Sequence, residues 1–300
     1  MRLLILLIKE RSLPEVLRYL NLGCGSRYHT DWVNVDIVPQ GLDVLQHDLS
    51  HRLPFADASF AVVYHAAVLE HMRRPDALTF LSECYRVLKP GGIMRVGVPD
   101  LERICQLYLS KLAAALNDDE MAEYDYDWIL LELFDQTVRE QGGGGMLGYL
   151  RQNSLPNETF VYARIGEDGR QLVRSLHRQD SHATCSLPSF FRRLRKNWRA
   201  LPVIARRYIA RGLLGASDRR AFDIGRFRLA GEVHQWMYDR YSLARLLEQI
   251  GFQPPQLQTA STSQIPDWAR FHLDTLPTGE EIKPDLLFME AMKAGSAPYA

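Results

Sequence analysis

The residue types best suited to chemistry open the chain. "YLNLGCGSRYHTDWVNVDI", Tyr19 to Ile37, runs a short apolar strand into Gly23-Cys24-Gly25 and then a second strand ending on Asp36. Glycine permits a sharp turn and lets a ligand approach the backbone with no Cβ in the way. An acid at the end of the next strand is placed to accept hydrogen bonds from a ribose diol. A third strand, in "LDVLQHD", ends on a second acid, Asp48, which could receive an adenine amino group. The Gly-x-Gly-x-x-Gly pattern of dinucleotide sites is absent, because position 28 is Tyr28. A bare Gly-x-Gly is a common turn. Acids ending both following strands make it far more specific.

These residues need a sheet to bring them together, and the first hundred residues provide its pattern. "RYLNLG", "WVNVDI", "LDVLQHD" and the apolar "FAVVYHA" read as strands. "RPDALTFLSECYRVLKPGG" reads as a helix with Pro75 in its first turn and Ala77, Leu78, Leu81, Cys84, Tyr85 and Leu88 at three- and four-residue spacing. Lys89 to Gly92 should stop it, and "IMRVGVPD" is the fifth strand. Strands alternating with crossovers predict a Rossmann-like, doubly wound, mostly parallel sheet in an α/β fold. Near the end, "YSLARLLEQIGF" reads as a helix with Ser242 as N-cap and Gly251 as its stop. "QLQTAS" and "DLLFMEAMK" read as closing strands.

Leu101 to Ala230 differs in character. It is helix-rich, it contains Gly142 to Gly145, and its charges are segregated. Residues 117–135 hold eight acids and no base, whereas 192–228 hold twelve Lys or Arg and two Asp. The expected organisation is a first part of the sheet domain over 1–110, a mainly helical inserted cap over 111–230, and the last helix and closing strands over 231–300. A cap at the carboxyl end of the sheet lies where open α/β sheets bind ligands.

Composition narrows the class further. The 300 residues are 46% hydrophobic, enough for a sizeable core, and Lys+Arg equals Asp+Glu at 36 each. Net charge zero argues against a generic polyanion binder, and no stable nucleic acid partner is expected. The cysteines show no CxxC and no zinc spacing, so neither a metal site nor a disulfide scaffold is expected, and a reduced, cytoplasmic chain is. "MRLLILLIKERS" has six consecutive apolar residues, too few for a signal peptide or for the roughly 20 of a membrane span. It reads as a short element packed on the domain.

The combination resembles class I S-adenosylmethionine-dependent methyltransferases of the type-11 kind. The resemblance rests on "LNLGCG", "VNVDI", "HDLSHRLPFADASFAVVYHAAVLEH" and "CYRVLKPGGIMRVGVPD". A bacterial subgroup is especially similar, through "HQWMYDRYSLARLLEQIGF" and "KPDLLFMEA". The match covers residues 19–108 and 232–293. It implies S-adenosylmethionine as cofactor, with Gly23, Cys24 and Gly25 backing its methionine part and Asp36 holding the ribose hydroxyls. Asp48 and Leu49 would flank the adenine, and Tyr64 and His65 would line the methyl-transfer side. One departure stands out: nine residues, Gly23 to Asp31, join the first two strands, where a parallel crossover normally takes a dozen or more. The usual first helix is then a turn or two at most, and Arg27 or Arg2 could replace its positive end.

Methyl transfer needs a base only where the acceptor must lose a proton. His65 is a candidate base or substrate contact, or else a histidine capping the sheet edge. His71, with Glu70 beside it, is either catalytic or packed. His234 precedes the last helix with Trp236 and Tyr238, which either stack on a substrate or form an apolar docking corner. Cys24 is better explained by packing than as a nucleophile. The basic, aromatic stretch 190–214 is a solvated cap, a peripheral membrane contact or a contact for an anionic ligand. The function implied is methyl transfer to a small-molecule or glycan acceptor, at oxygen. The alternatives are an RNA methyltransferase using the basic cap, or a non-catalytic cofactor-binding partner subunit.

Overall fold

The structure, a computed structural model, describes residues 18–117, 119–180, 211–212 and 214–295. The N-terminal apolar run, Arg2 and nearly all of the basic stretch 190–214 lie outside the described residues. A seven-stranded sheet forms the frame, from β1 (Tyr19–Leu22), β2 (Val33–Asp36), β3 (Val44–Gln46), β4 (Phe60–Ala66), β5 (Leu88–Pro99), β6 (Gln256–Gln258) and β7 (Leu286–Met292). Their spatial order is β3-β2-β1-β4-β5-β7-β6. β1 to β5 pair in parallel, and β7 enters antiparallel between β5 and β6. The order reverses between β1 and β4, which creates a crevice at their carboxyl ends. This is a Rossmann-like α/β sheet.

Strand alternation divides the side chains between two faces. Leu20 and Leu22 of β1 and Val63 of β4 face one core, which α1 (Arg74–Val87) covers through Ala77, Phe80, Leu81 and Cys84. α7 (Arg240–Ile250) covers it through Leu243 and Leu247. Tyr19, Val62 and Tyr64 face the other side, where Ile265, Trp268, Phe271 and Leu273 pack against them. On that face the described cover is an aromatic loop with one 3₁₀ turn, Trp268–Phe271. It is anchored by Arg95, which is fully buried and bonded to Asp274 at 2.8 Å, to Glu290 at 2.8 Å and to the carbonyls of Thr259 and Thr262.

Several local expectations are corrected. Lys89 to Gly92 neither stop α1 nor precede the strand: α1 ends at Val87, β5 begins at Leu88, and its pairing with β4 shifts between Phe60–Leu88 and Val62–Ile93. The N-cap of α7 is Asp239, whose carboxylate accepts from Ser242 N at 2.7 Å. Ser242 instead closes a capping box, its hydroxyl accepting from Asp239 N at 3.0 Å. Gly251 does terminate this helix, at φ 108°. Residues 23–32 contain turns and no helix.

The segment after β5 is helical. Asp100 caps α2 (Leu101–Ala115), followed by α3 (Glu120–Leu130), a π turn over Leu131–Asp135 and the single turn Gln136–Val138. Then come α4 (Gly144–Leu150), α5 (Glu158–Asp180) and α6 (Ala216–Arg228). α2 to α5 share a core of their own around Ile104, Trp128, Ile129, Leu150, Val161 and Val173. Inside it, Arg164 bonds Glu132 at 2.6 Å, and Trp128 donates to the same carboxylate at 2.5 Å.

Candidate active site

The crevice at the reversal holds a cavity of about 190 Å³. Gly23 to Arg27 line it from the end of β1, and Tyr64, Ala66 and Ala67 line it from the end of β4. Gly23 has φ +66° and Gly25 φ +51°, left-handed values that favour glycine. A Cβ on Gly23 would come within 2.4 Å of Val68 Cγ2, so this glycine lets the turn lie against the segment after β4. A Cβ on Gly25 would meet nothing within 4 Å, so this glycine keeps one wall of the cavity bare.

Asp36 is tied to this wall. Its Oδ2 accepts from Gly25 N at 2.8 Å and its Oδ1 from Val38 N at 2.8 Å. A carboxylate has about four acceptor sites, so lone pairs remain for a diol. Beside it Ile37 is 57% exposed, an apolar surface that sequence reasoning did not single out. Asp48 is exposed, and bonds from the hydroxyl and amide of Ser50 hold its carboxyl below the ordinary range. Leu49 adjoins the glycine turn, 3.7 Å from the position of a Gly23 Cβ.

The remaining predicted residues separate into distinct places. Tyr64 lines the cavity, but its hydroxyl donates to Asp274 at 2.6 Å. Burial, and then the charge of Asp274, push its pKa well up, so it stays a neutral phenol. His65 points to the opposite face, fully buried against Phe80 with ring centroids 5.1 Å apart. Burial lowers its pKa to about 3, so it is neutral and turned away from the cavity. Cys24 is half of a tight turn, and burial raises its thiol to about 11, leaving it protonated. Trp236 and Tyr238 line a second cavity of about 160 Å³ between α1 and α7, where the Arg74 guanidinium lies 4.8 Å from the Trp236 ring. His71 and His234 do come together, with ring centroids 4.8 Å apart and Glu70 beside them.

Groups from distant segments complete the first cavity. Asp168, at the mouth, comes from α5, which bends at Gly166, where a Cβ would come within 2.3 Å of the Ile282 carbonyl. Arg27 of the glycine turn bonds Asp168 at 2.6 Å, joining the helical segment to the cavity wall. Lys283 lines the same cavity. Nothing local in the sequence marks Asp168 or Lys283, since both arrive through chain folding alone.

Glycines at the end of β1, an acid with remaining acceptor sites at the end of β2, and Arg27 and Lys283 in the lining come together at the β1–β4 reversal. Residues 20–96, about a quarter of the chain, match the family model described as "Methyltransferase domain". A "Probable S-adenosylmethionine-dependent methyltransferase" of Mycolicibacterium smegmatis is 34% identical over 99 residues, 27% of this chain and 37% of that protein. A ubiquinone biosynthesis O-methyltransferase of Cereibacter sphaeroides is 30% identical over 101 residues, 27% of this chain and 40% of its own. The chain thus spans about two-fifths of the length of these curated relatives. A solved S-adenosylmethionine-dependent methyltransferase from Archaeoglobus fulgidus aligns over 98% of this chain and 95% of its own, at 10% identity and a TM-score of 0.36. No helix among the described residues is long and apolar enough to cross a membrane.

The residues fit S-adenosylmethionine, the cofactor that the sequence resemblance implies. The bare wall at Gly25 leaves room for its backbone-facing part, Asp36 retains acceptor sites for the ribose, and Ile37 offers an apolar face to the base. Lys283 brings a positive charge to the cavity lining, and Arg27 lines it paired with Asp168 at 2.6 Å. When bound, the cofactor supplies an electrophilic methyl group on a sulfonium.

Proposed function

We propose that the protein transfers a methyl group from S-adenosylmethionine to an oxygen of a small-molecule or glycan acceptor. The observation that carries this reading is the crevice at the β1–β4 reversal, with its glycine turn hydrogen-bonded to Asp36 at 2.8 Å. Oxygen as acceptor atom is supported by the matching relatives named ubiquinone biosynthesis O-methyltransferases.

In this reading Asp36, the glycine turn, Arg27 and Lys283 hold and orient the cofactor, and α5 with the Ile282–Lys283 loop excludes water. Positioning of this kind accounts for much of the rate of a displacement reaction. Among the described residues no histidine lines the cavity, and His71 and His234 lie together in a cluster of their own. His65 takes no part.

The test is transfer of radiolabelled methyl from S-adenosylmethionine to a panel of phenols, sugar nucleotides and oligosaccharides, with amines and tRNA alongside. Label on a hydroxyl compound supports the reading. Label on tRNA alone would replace it with RNA methylation, and label on amines alone would move the acceptor atom to nitrogen.

A further inference from the structure

A buried cluster of metal-ligating side chains lies beside this site. Glu70 and His71 belong to the 3₁₀ turn Leu69–His71, which follows β4. His234 belongs to the segment returning from the helical region. Backbone bonds fix the two stretches together: Gln235 N and Trp236 N donate to the Glu70 carbonyl at 2.7 and 3.2 Å, and His234 N donates to the Gln136 carbonyl at 2.9 Å. The three side chains each offer one donor atom, and these atoms all lie within 4.8 Å of one another.

Their polar atoms lack partners. Glu70 is 1% exposed and His234 6%. Both Glu70 carboxylate oxygens, His71 Nδ1 and His234 Nδ1 have no hydrogen-bond partner among the described residues, and neither does the Tyr238 hydroxyl. Buried polar groups are almost always paired. Unpartnered ligand atoms of Glu70, His71 and His234 gathered within 4.8 Å are what a shared ion would satisfy. The nearby charges are mixed. Lys283 and Arg139 act on the cluster, as do Glu232 and Asp285. Arg139 is itself held by Asp135 at 2.6 Å and Glu232 at 3.3 Å.

We propose that Glu70, His71 and His234 bind a divalent first-row transition-metal ion, with zinc as the reference ion. Two imidazoles and one carboxylate suit zinc, iron or manganese, whereas calcium and magnesium take oxygen donors. Ligands at about 2.0–2.1 Å from a tetrahedral ion stand about 3.3 Å apart, so any pair closes by about 1.5 Å at most. Three protein ligands leave a position open to water or to an oxygen of an acceptor. Metal binding at this cluster stands independently of the methyl-transfer reading.

The experiment uses the full chain after chelator treatment. Zinc is titrated calorimetrically and bound metal is counted by mass spectrometry, with Glu70→Gln and His234→Ala beside the parent and circular dichroism melts confirming that the variants fold. Cobalt(II) added to the parent reads the ligand field without any substitution. The expected result is one zinc per chain, affinity at least 100-fold weaker in each variant, and visible cobalt bands of a low-coordinate nitrogen–oxygen site. Absence of stoichiometric uptake, uptake unchanged in both variants, or a cobalt spectrum of the free hexahydrated ion would overturn the proposal.

Discussion

Replacing the two glycines of the turn separates two physical effects. Gly23 and Gly25 both have positive φ, +66° and +51°, and an L-residue there costs roughly 1–2 kcal/mol. Gly25→Ala should lose about that much stability, because its Cβ meets nothing within 4 Å. Gly23→Ala carries a second cost, since its Cβ would lie 2.4 Å from Val68 Cγ2. Overpacking of this kind adds about 1–3 kcal/mol, giving roughly 2–5 kcal/mol in all. Urea unfolding of both variants measures the difference. Adding Val68→Ala should relieve the contact but not the backbone strain, so the double-mutant cycle should show a favourable coupling of about 1–3 kcal/mol. Cofactor binding should rank the other way. Gly25→Ala places a methyl on the open cavity wall and should weaken S-adenosylhomocysteine at least tenfold while the fold persists. Equal destabilisation by the two alanines, or no rescue by Val68→Ala, would refute the close approach of the glycine turn to the segment after β4.

Three further outcomes are expected. Lys283→Ala and Arg27→Ala should weaken S-adenosylhomocysteine but leave methylthioadenosine, which lacks the amino acid part, unchanged by calorimetry. The same Arg27 change should cost no more than about 1 kcal/mol of stability, because its bridge to Asp168 is about one-third exposed on both sides. For pH, His65 is neutral in the fold with a pKa lowered to about 3 by burial, while the unfolded ring titrates near 6.5. The unfolded chain therefore binds the extra proton between these values, and stability falls as pH drops from about 6.5 towards 3. His65→Leu should flatten this limb by up to about 1.4 kcal/mol per pH unit in urea melts at stepped pH.

The parts legible in the sequence are those set by local pattern. The strands up to β4, the helix after Arg74 and the glycine turn with its acids follow from apolar runs, glycines and short spacings. What escaped depends on which way a side chain turns. Tyr64 and His65 are neighbours on β4, and period-2 alternation sends one to the cavity and the other to the core under α1. A sequence gives the alternation without saying which face meets the ligand. Trp236 and Tyr238 fell on the α1–α7 side for the same kind of reason. The Glu70–His71–His234 cluster escaped because the metal reading followed cysteine spacing, whereas its third member lies more than 160 positions along the chain from the first two. Asp168 and Lys283 reach the cavity through a bend at Gly166 packed on the Ile282 carbonyl, a contact without a local signature.

The most direct test of the central claim is a calorimetric titration of S-adenosylmethionine and S-adenosylhomocysteine into the full chain, with Asp36→Ala beside it. In the proposed reading Asp36 would offer its remaining lone pairs to the ribose, and it also holds the Gly25 amide at 2.8 Å; hydrogen bonds to a charged group contribute about 1.5–3 kcal/mol each. Micromolar binding, weakened at least tenfold, or about 1.4 kcal/mol, by the substitution is the predicted result. Absence of binding by the parent chain, or binding indifferent to Asp36, would contradict the assignment of this crevice as the cofactor site.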